Sequence, residues 1–266
     1  MNDLAALQPL HWVSLLGFLL PLLGLVPALR RLPGWLALPL VAAGPVALTV
    51  LLGQRWVESG RPPLQSQYET ALFLAWCLGV LALPALLGLR RLLPALVLCL
   101  AAALALGLGT LAGGKGGSPL PPALASIWFI PHVLVYFFGY ACFLAAALLA
   151  VVQLTRAPAP GAPWLQQPQA LADLLVYSGF ALITLGMTMG CVWAAEVWGG
   201  WWSWDPKETW ALLTWLYYLN LIHLRLAGLG DREAALRTVA GLLLIAFTWL
   251  GMKLLPASPA DLHVYQ

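Results

Sequence analysis

Charged residues are scarce in this chain, and their scarcity excludes most classes of soluble protein. Only 9% of its 266 residues are Asp, Glu, Lys or Arg, whereas 62% are hydrophobic. A soluble domain carries roughly 25% charged residues. Long apolar runs in a membrane must satisfy their own backbone hydrogen bonds, which favours helices. The sequence therefore predicts an all-α, polytopic membrane protein. It contains no basic tract long enough to predict a nucleic-acid partner.

Cysteine is also rare, and none of the cysteines is arranged for chemistry. No CxxC motif occurs, so the chain has neither a redox pair nor a thiolate metal site of its own. We interpret the cysteines as small core residues of the apolar runs. They are Cys77, Cys99, Cys142 and Cys191. The N-terminus lacks the basic region and the small-residue cleavage site of a secretory signal, so the first apolar run is expected to remain as a span.

Eight apolar runs have about the 20 residues that a membrane helix needs. The predicted spans are 12–29, 34–53, 70–89, 92–112, 126–152, 170–193, 206–225 and 237–256. No internal repeat and no separate soluble domain interrupts them, so residues 1–266 are predicted to form one integral membrane domain. Ala157–Pro168 is Pro-rich and predicts a cytoplasmic linker, and Gly113–Pro122 predicts an external loop.

The basic residues predict the orientation of these spans. Eight lie in one set of loops and five in the other, and cytoplasmic loops carry the excess of Lys and Arg. The larger set is Arg30, Arg31, Arg90, Arg91, Arg156, Arg225, Arg232 and Arg237. The smaller set is Arg55, Arg61, Lys115, Lys207 and Lys253. Both termini and the loop near residue 200 are therefore predicted to face the external side.

Tryptophan is the residue that the sequence has in unusual density. Seven of the 23 residues from Trp193 to Trp215 are Trp. After Gly199-Gly200, the run Asp205-Pro206-Lys207-Glu208 predicts a helix start, with Asp205 as N-cap, Pro206 at N1 and Glu208 at N3. Flat aromatic faces beside a helix N-terminus suit a large flat ligand with anionic groups. The alternative is an interfacial anchor of Trp residues with a capped helix behind it.

Span 6 also carries small residues at helical spacing. The Gly186-xxx-Gly190 pair permits another helix to approach closely, which would position the Trp-rich loop. The alternative is that these are ordinary glycines of a membrane helix.

Histidine is limited to four residues, His11, His132, His223 and His263. His132 and His263 are predicted on the external side, with the Trp-rich loop. Because neutral imidazole is a good axial ligand of haem iron, the two could clamp a haem between them. The alternative for each is a polar anchor at the membrane interface. We interpret His11, at the start of span 1, as such an interfacial residue.

The segment WGGWWSWDPKETWALLTW resembles the Trp-rich "WWD" signature of the haem-handling membrane proteins of cytochrome c biogenesis. The form WSWDPKETWAL is most similar to the CcsA, or ResC, branch of system II. CcmC and CcmF of system I are similar in the WWD core. Further segments match in order: SGRPPLQSQYETALFLAW, PALASIWFIPHVLVYFFGYACF, LNLIHLR and WLGMKLLPASPADLHVYQ. The resemblance covers roughly residues 55–266.

The resemblance implies a set of haem-binding residues. The first external ligand histidine of the family falls on His132, its transmembrane histidine on His223 and its last histidine on His263. His132 and His263 are thereby implied as the iron ligands. The implied aromatic platform lies in an external WWD loop, 193–210, and comprises Trp198, Trp201, Trp202, Trp204 and Asp205. The charge of Lys207 adds a group that could face the haem propionates. Where the family tail usually reads Gly-Leu-His-Ser-Tyr-Gly, this chain has Asp261 to Gln266, and Ser66 stands where the family has Asn before its Tyr-Glu pair.

The function implied by the resemblance is that of a component of the system II cytochrome c synthase, in the inner (plasma) membrane. It would hold a non-covalently bound b-type haem and present it to apocytochrome c with its CxxCH motif. A ResB/CcsB-type subunit and membrane lipid are the other implied partners. No catalytic residue is implied, because the chemistry belongs largely to the cofactor and the substrate thiols. Two alternatives stay open: a haem-binding regulator without synthase activity, and a transporter or intramembrane enzyme unrelated to haem.

His223 is predicted at the opposite end of span 7 from the Trp-rich loop. Eighteen residues separate it from Asp205, which is about 27 Å along a helix. His223 therefore cannot share a haem with His132. Either it forms a second, inner site whose other ligand comes from the ResB-type subunit, or it anchors the helix end beside Arg225.

Overall fold

A computed structural model describes residues 9–25, 34–87, 92–111, 121–155 and 168–250 of the chain. Most of these residues are helical, and no strand occurs within the described ranges. His263, the paired arginines 30–31 and 90–91, Arg156, Lys115 and Lys253 lie outside them. The same holds for most of the predicted loops 113–122 and 157–168.

Eight α-helices and two short 3₁₀ turns make up the described residues. The helices are α1 (Pro9–Leu19), α2 (Gly34–Ser59), α3 (Gln67–Leu87), α4 (Leu92–Leu111), α5 (Phe129–Thr155), α6 (Pro168–Trp198), α7 (Pro206–Leu226) and α8 (Asp231–Leu250). The 3₁₀ turns are Leu20–Leu25 and Pro122–Ala125. The prediction of an all-α fold with eight helices is confirmed, and each helix coincides with one predicted span.

The helix boundaries differ from the predicted spans where polar residues continue a helix. Helix α2 continues to Ser59, and α8 begins six residues early, at Asp231. Helix α6 continues through Trp198, so the irregular part of the predicted loop 193–210 is only 199–205. Within the described ranges, four stretches are long and apolar enough to cross a membrane: Ala37–Ser59, Gln67–Leu86, Phe129–Thr155 and Gln169–Trp198. The chain is a multi-pass membrane protein; spanning by the other four helices and the orientation of the termini stay predictions.

The helices divide into two compact units, Met1–Leu120 with α1–α4 and Pro121–Gln266 with α5–α8. In the first unit, a buried ion pair closes the α2–α3 connection. The guanidinium of Arg61 meets both carboxylate oxygens of Glu69, at 3.1 and 3.2 Å. Glu69 Oε2 also accepts from the backbone N–H groups of Gln65 and Ser66, while Ser66 Oγ accepts from the N–H of Glu69. This reciprocal pair is a capping box at the start of α3.

His11 lies in the first unit but does not face the membrane interface. Its side chain is 2% exposed, and its Nδ1 is 3.3 Å from the hydroxyl of Tyr68. The two rings stack at 6.1 Å. The interpretation of His11 as an interfacial residue is therefore wrong, because a polar partner on α3 lets the imidazole be buried.

The second unit is built on α5 and α6, which pack antiparallel with very small separation. A Cβ on Gly139 would lie 2.7 Å from Ile183 Cγ2, and one on Gly179 would lie 3.1 Å from the carbonyl oxygen of Gly139. Helix α7 joins them by stacking Tyr218 on Phe143 at 3.6 Å between ring centroids. A close approach of another helix to span 6 is thus present, but it lies at Gly179 and Gly139 rather than at the Gly186–Gly190 pair on which the prediction rested.

Neutralising Glu69 should destabilise the first unit, because Arg61 would be left buried without its counter-ion. In Glu69→Gln we expect a loss of about 3–5 kcal/mol, the usual cost of removing one partner of a buried pair. Thermal unfolding of the purified protein in detergent measures it. Glu233→Gln is the matched control, since its pair with Arg237 is 55% and 41% exposed and should contribute less than about 1 kcal/mol. Equal shifts of the two midpoints would contradict the prediction.

Candidate haem-binding site

The candidate site is assembled at the end of the second unit where α5 begins and α6 ends. The segment before α5 is fastened to α6 by two side chains. The indole N–H of Trp193 donates to the carbonyl of Ala123 at 2.8 Å, and Ser126 Oγ donates to Glu196 at 2.9 Å. These bonds fix the segment before α5 against the last two turns of α6.

His132 lies in the first turn of α5, and its ring is held in one tautomer. Its Nδ1 is 2.7 Å from the carbonyl oxygen of Gly186, which can only accept, so Nδ1 carries the proton. The lone pair is therefore on Nε2. A hydrogen bond from the other ring nitrogen to a backbone carbonyl is the arrangement that orients metal-ligating histidines.

A glycine face on α6 makes room for this imidazole. A Cβ on Gly190 would lie 2.8 Å from His132 Cε1, and one on Gly186 would clash with the ring of Tyr136. Trp193 continues the same face, because residues 186, 190 and 193 follow helical spacing. The His132 and Trp193 rings are 5.7 Å apart. The glycine pair was predicted to admit a helix, and in the structure it admits the side chains of His132 and Tyr136.

Aromatic contacts lead from His132 toward the Trp-rich loop. Trp193 contacts Trp198, the last residue of α6, at 5.0 Å between ring centroids. Gly199 follows with φ 76°, a left-handed conformation that turns the chain away from the helix. Because Gly190 is eight residues before Trp198, His132 lies about 12 Å inward of the helix end.

The loop 199–205 presents some indoles outward and shields others. Trp204 is 68% exposed and Trp201 is also exposed, whereas Trp202 is half-buried and meets Trp204 edge to face at 5.8 Å. Trp204 has φ 60°, which is strained for a bulky residue and costs on the order of 1–2 kcal/mol. The indole N–H of Trp202 is shielded from water and has no acceptor among the described residues.

Asp205 and Glu208 are occupied in starting α7. Asp205 Oδ1 accepts from the N–H groups of Lys207 and Glu208, and Glu208 Oε2 accepts from the N–H groups of Ser203 and Asp205. The predicted capping box, with Pro206 at the first position, is confirmed. It also uses two first-turn amides that the sequence suggested for an anionic ligand. The exposed Lys207 side chain is the remaining cationic group of this turn.

His223 lies at the other end of α7, exposed. Its Nδ1 is 2.8 Å from the carbonyl oxygen of Leu219, so it too donates through Nδ1 and carries its lone pair on Nε2. Neighbouring Arg225 is engaged elsewhere. Its guanidinium pairs with Asp173 at 2.7 Å and Asp231 at 3.2 Å, which ties α6, α7 and the start of α8 together.

The residues predicted for the site are thus partly brought together. His132 is joined through Trp193 to Trp198 and the loop, whereas His223 lies far from them and His263 is outside the described residues. Trp193, Tyr136 and Glu196 are additions that the sequence analysis did not single out as site residues. Trp193 was discoverable, since it follows Gly186 and Gly190 on one helical face. No group of three or more His, Cys, Asp and Glu side chains in the described ranges could hold a bare metal ion.

The fold and the site define a class: a multi-pass membrane helix bundle with an oriented imidazole beside a Trp-rich loop. The family model for the cytochrome c assembly protein matches residues 64–258. This chain belongs to that family.

Individual relatives agree with this assignment. The chain is 35% identical to the cytochrome c biogenesis protein CcsA of Chlamydomonas reinhardtii, over 83% of this chain and 67% of that protein. CcsA of Synechococcus sp. strain CC9311 is 34% identical over 94% of this chain and 96% of that protein. In fold, the chain is similar to a solved structure of the cytochrome c heme lyase CcmF, with a TM-score of 0.57 at 17% identity. That match covers 97% of this chain, which spans about half of the CcmF chain, at 47%.

Replacing Gly190 should displace the His132 ring. In Gly190→Ala the new Cβ meets an imidazole that its carbonyl bond prevents from swinging aside, so we expect a destabilisation of about 1–3 kcal/mol. Thermal unfolding in detergent measures the effect. Gly200→Ala is the matched control, because nothing lies within 4 Å of its Cβ position. If both variants unfold at the same temperature, the tight fit around His132 is wrong.

Proposed function

We propose that this chain is the haem-binding membrane component of a system II cytochrome c synthase. It would hold a non-covalently bound b-type haem at the external face of the inner membrane and present it to apocytochrome c. The observation that carries the proposal is the 2.7 Å contact between His132 Nδ1 and the carbonyl oxygen of Gly186. The Nδ1–H of His132 is committed to Gly186, so Nε2 has the lone pair that an axial ligand needs.

The described residues fit a bound haem in two further ways. The porphyrin ring of haem needs flat apolar contacts. Its carboxylates accept hydrogen bonds and therefore need donors from the protein. Trp198, Trp201 and Trp204 supply indole faces, and the strained, exposed Trp204 is explained if a bound ligand covers its ring. The N–H of Trp202, which has no acceptor among the described residues, could donate to a propionate oxygen.

The charged groups at the start of α7 also fit a haem whose propionates face this loop. With its first-turn amides taken by Asp205, the start of α7 offers the Lys207 ammonium to a second carboxylate. Asp205 then acts as a positioning residue: it fixes the turn that carries Trp204 and Lys207. We assign His263 as the second iron ligand from the family resemblance alone, since it lies outside the described residues.

In the proposed reaction, the haem supplies two vinyl groups that become joined by thioether bonds to the CxxCH thiols of apocytochrome c. The chain itself contributes ligation by His132 and His263, orientation by the indoles and exclusion of water. Positioning of this kind substantially lowers the barrier of a reaction between two bound partners. The proposal assigns no side chain of this protein as an acid, base or nucleophile, and the chain would act as a subunit of the synthase complex through ligation and positioning.

A related haem-binding protein that regulates haem supply without synthase activity is the second candidate. It would bind haem through the same residues, so binding alone does not separate the two. Deleting the gene and staining for covalently bound haem does. Loss of all c-type cytochromes supports the synthase, and normal staining supports the regulator.

Replacing the proposed ligands should change the spectrum of the purified protein. In His132→Gly and in His263→Gly we expect a sharp low-spin haem spectrum to become high-spin, and cytochrome c maturation to fall at least tenfold. Added imidazole should restore the low-spin spectrum, since it can enter the vacated coordination position. A merely structural loss would not be restored in this way.

Two results would contradict the assignment. Unchanged spectra in both variants would mean that the ligands lie elsewhere. A reporter fused after Gly200 that reads cytoplasmic would place the loop on the wrong side for an external site. Fusions after Arg91 and Arg156 are the internal controls, since both positions are predicted to be cytoplasmic.

We further propose that His223 ligates a second haem together with a histidine of a ResB/CcsB-type subunit. Its exposed ring already has Nδ1 committed to Leu219, as His132 has to Gly186. Co-purified with the partner, the protein should bind more haem than it does alone, and His223→Ala should abolish only that excess. Asn220→Ala, also exposed on α7, is the control and should retain it. Equal haem content with and without the partner would leave His223 as an anchor of the helix end.

A further inference from the structure

Arg55, in the last turns of α2, has no counter-ion among the described residues. Its guanidinium carbon is 4.9 Å from the centroid of the Tyr68 ring, and its Nε is shielded from water without a hydrogen-bond acceptor. The ion pairs of the described ranges do not include it. Nearby Arg61 shows the contrast, since it has both oxygens of Glu69. A half-buried guanidinium without an anion is costly, so Arg55 is a candidate anion-binding residue.

The Tyr68 ring against which Arg55 lies is itself held in place. Tyr68 is buried, and its hydroxyl lies 3.3 Å from Nδ1 of the buried His11. The Tyr68 and His11 rings are nearly parallel, with 20° between their planes. Tyr68 therefore cannot turn away easily, and the cation–π contact holds the guanidinium in a defined place. Such a preordered group loses little conformational entropy when an anion binds.

Arg55 lies on a mixed surface at the C-terminal end of α2, where Gln54, Glu58 and Ser59 are exposed. The same end of the first unit also exposes hydrophobic side chains of α1 and α2: Trp12, Val13, Val50, Trp56 and Val57. In a membrane protein, such a surface contacts acyl chains, and Trp residues mark the level of the lipid head groups. An anion attached to a hydrocarbon tail could reach Arg55 while its tail lies on the apolar part of this surface.

We propose that Arg55, held on Tyr68 and His11, binds the phosphodiester of an anionic membrane phospholipid. The planar guanidinium offers the N–H donors of its terminal nitrogens to phosphate oxygens. The acyl chains would lie along the exposed faces of α1 and α2. The site belongs to the first unit and does not depend on how the second unit handles haem.

The test uses the full-length protein, purified in neutral detergent and titrated with phosphatidylglycerol. Native mass spectrometry counts the bound lipid. Arg55→Gln should weaken the tightest binding about tenfold, since a charged hydrogen bond of this kind is lost. Arg232→Gln, an exposed arginine of the second unit, is the matched control and should bind as the wild type does. If Arg55→Gln does not fold, Arg55→Met keeps an unbranched stem over Tyr68 and takes its place.

Two further ligands separate the possible sources of the anion. Diacylglycerol with the same acyl chains has no phosphate, and inorganic phosphate has no chains. We expect tight binding of phosphatidylglycerol alone. Equal binding of diacylglycerol would make the site a merely apolar surface, and displacement of the lipid by millimolar phosphate would make it a site for a free anion. Equal losses in Arg55→Gln and Arg232→Gln would show that general surface charge attracts the lipid. Each of these results would overturn the proposal.

Discussion

The close approach of α5 and α6 is the constraint on which the candidate site depends. Membrane helices gain little from burying apolar surface, so their association relies on van der Waals contact and on interhelical hydrogen bonds. Gly139 and Gly179 allow the two backbones to approach, and Gly186 and Gly190 leave space for Tyr136 and His132. The carbonyl of Gly186 then becomes accessible to Nδ1 of His132. One glycine face thus provides the helix contact, the space for the imidazole and the bond that sets its tautomer.

Polar groups in this apolar chain are concentrated at helix ends, where each satisfies several backbone groups at once. Glu69 caps α3 while it neutralises Arg61, and Asp205 with Glu208 caps α7. Asp173 and Asp231 neutralise Arg225 at the opposite end of α7. These side-chain bonds order the helix ends, and the side chains near them, including Tyr68, Trp204 and His223, acquire defined positions.

The sequence predicted elements and caps well, because these depend on local patterns. Apolar length predicted all eight helices, and Asp205-Pro206-Lys207-Glu208 predicted the capping box of α7. Contacts between distant segments were not predictable in the same way. Nothing near His11 in the sequence indicates that Tyr68, 57 residues away, provides it with a buried partner. The role of Trp193 depends on Ala123 and His132, which only the packing of α5 against α6 brings near. The pairing of His132 with His263 stays a prediction, since His263 lies outside the described residues.

His132 and His223, the two proposed haem ligands among the described residues, hold their rings in the same way. Each donates through Nδ1 to a backbone carbonyl and keeps its lone pair on Nε2, but the carbonyls have different origins. His223 uses Leu219 of its own helix, so α7 alone orients it; in the proposed inner site, the second ligand comes from another subunit. His132 uses Gly186 of a neighbouring helix, so its orientation exists only while α5 and α6 are packed. A site of the first kind suits transfer between subunits, whereas one of the second kind couples ligand geometry to the integrity of the bundle. If haem passes from one to the other, it would move from a partner-dependent site to one that this chain orders by itself.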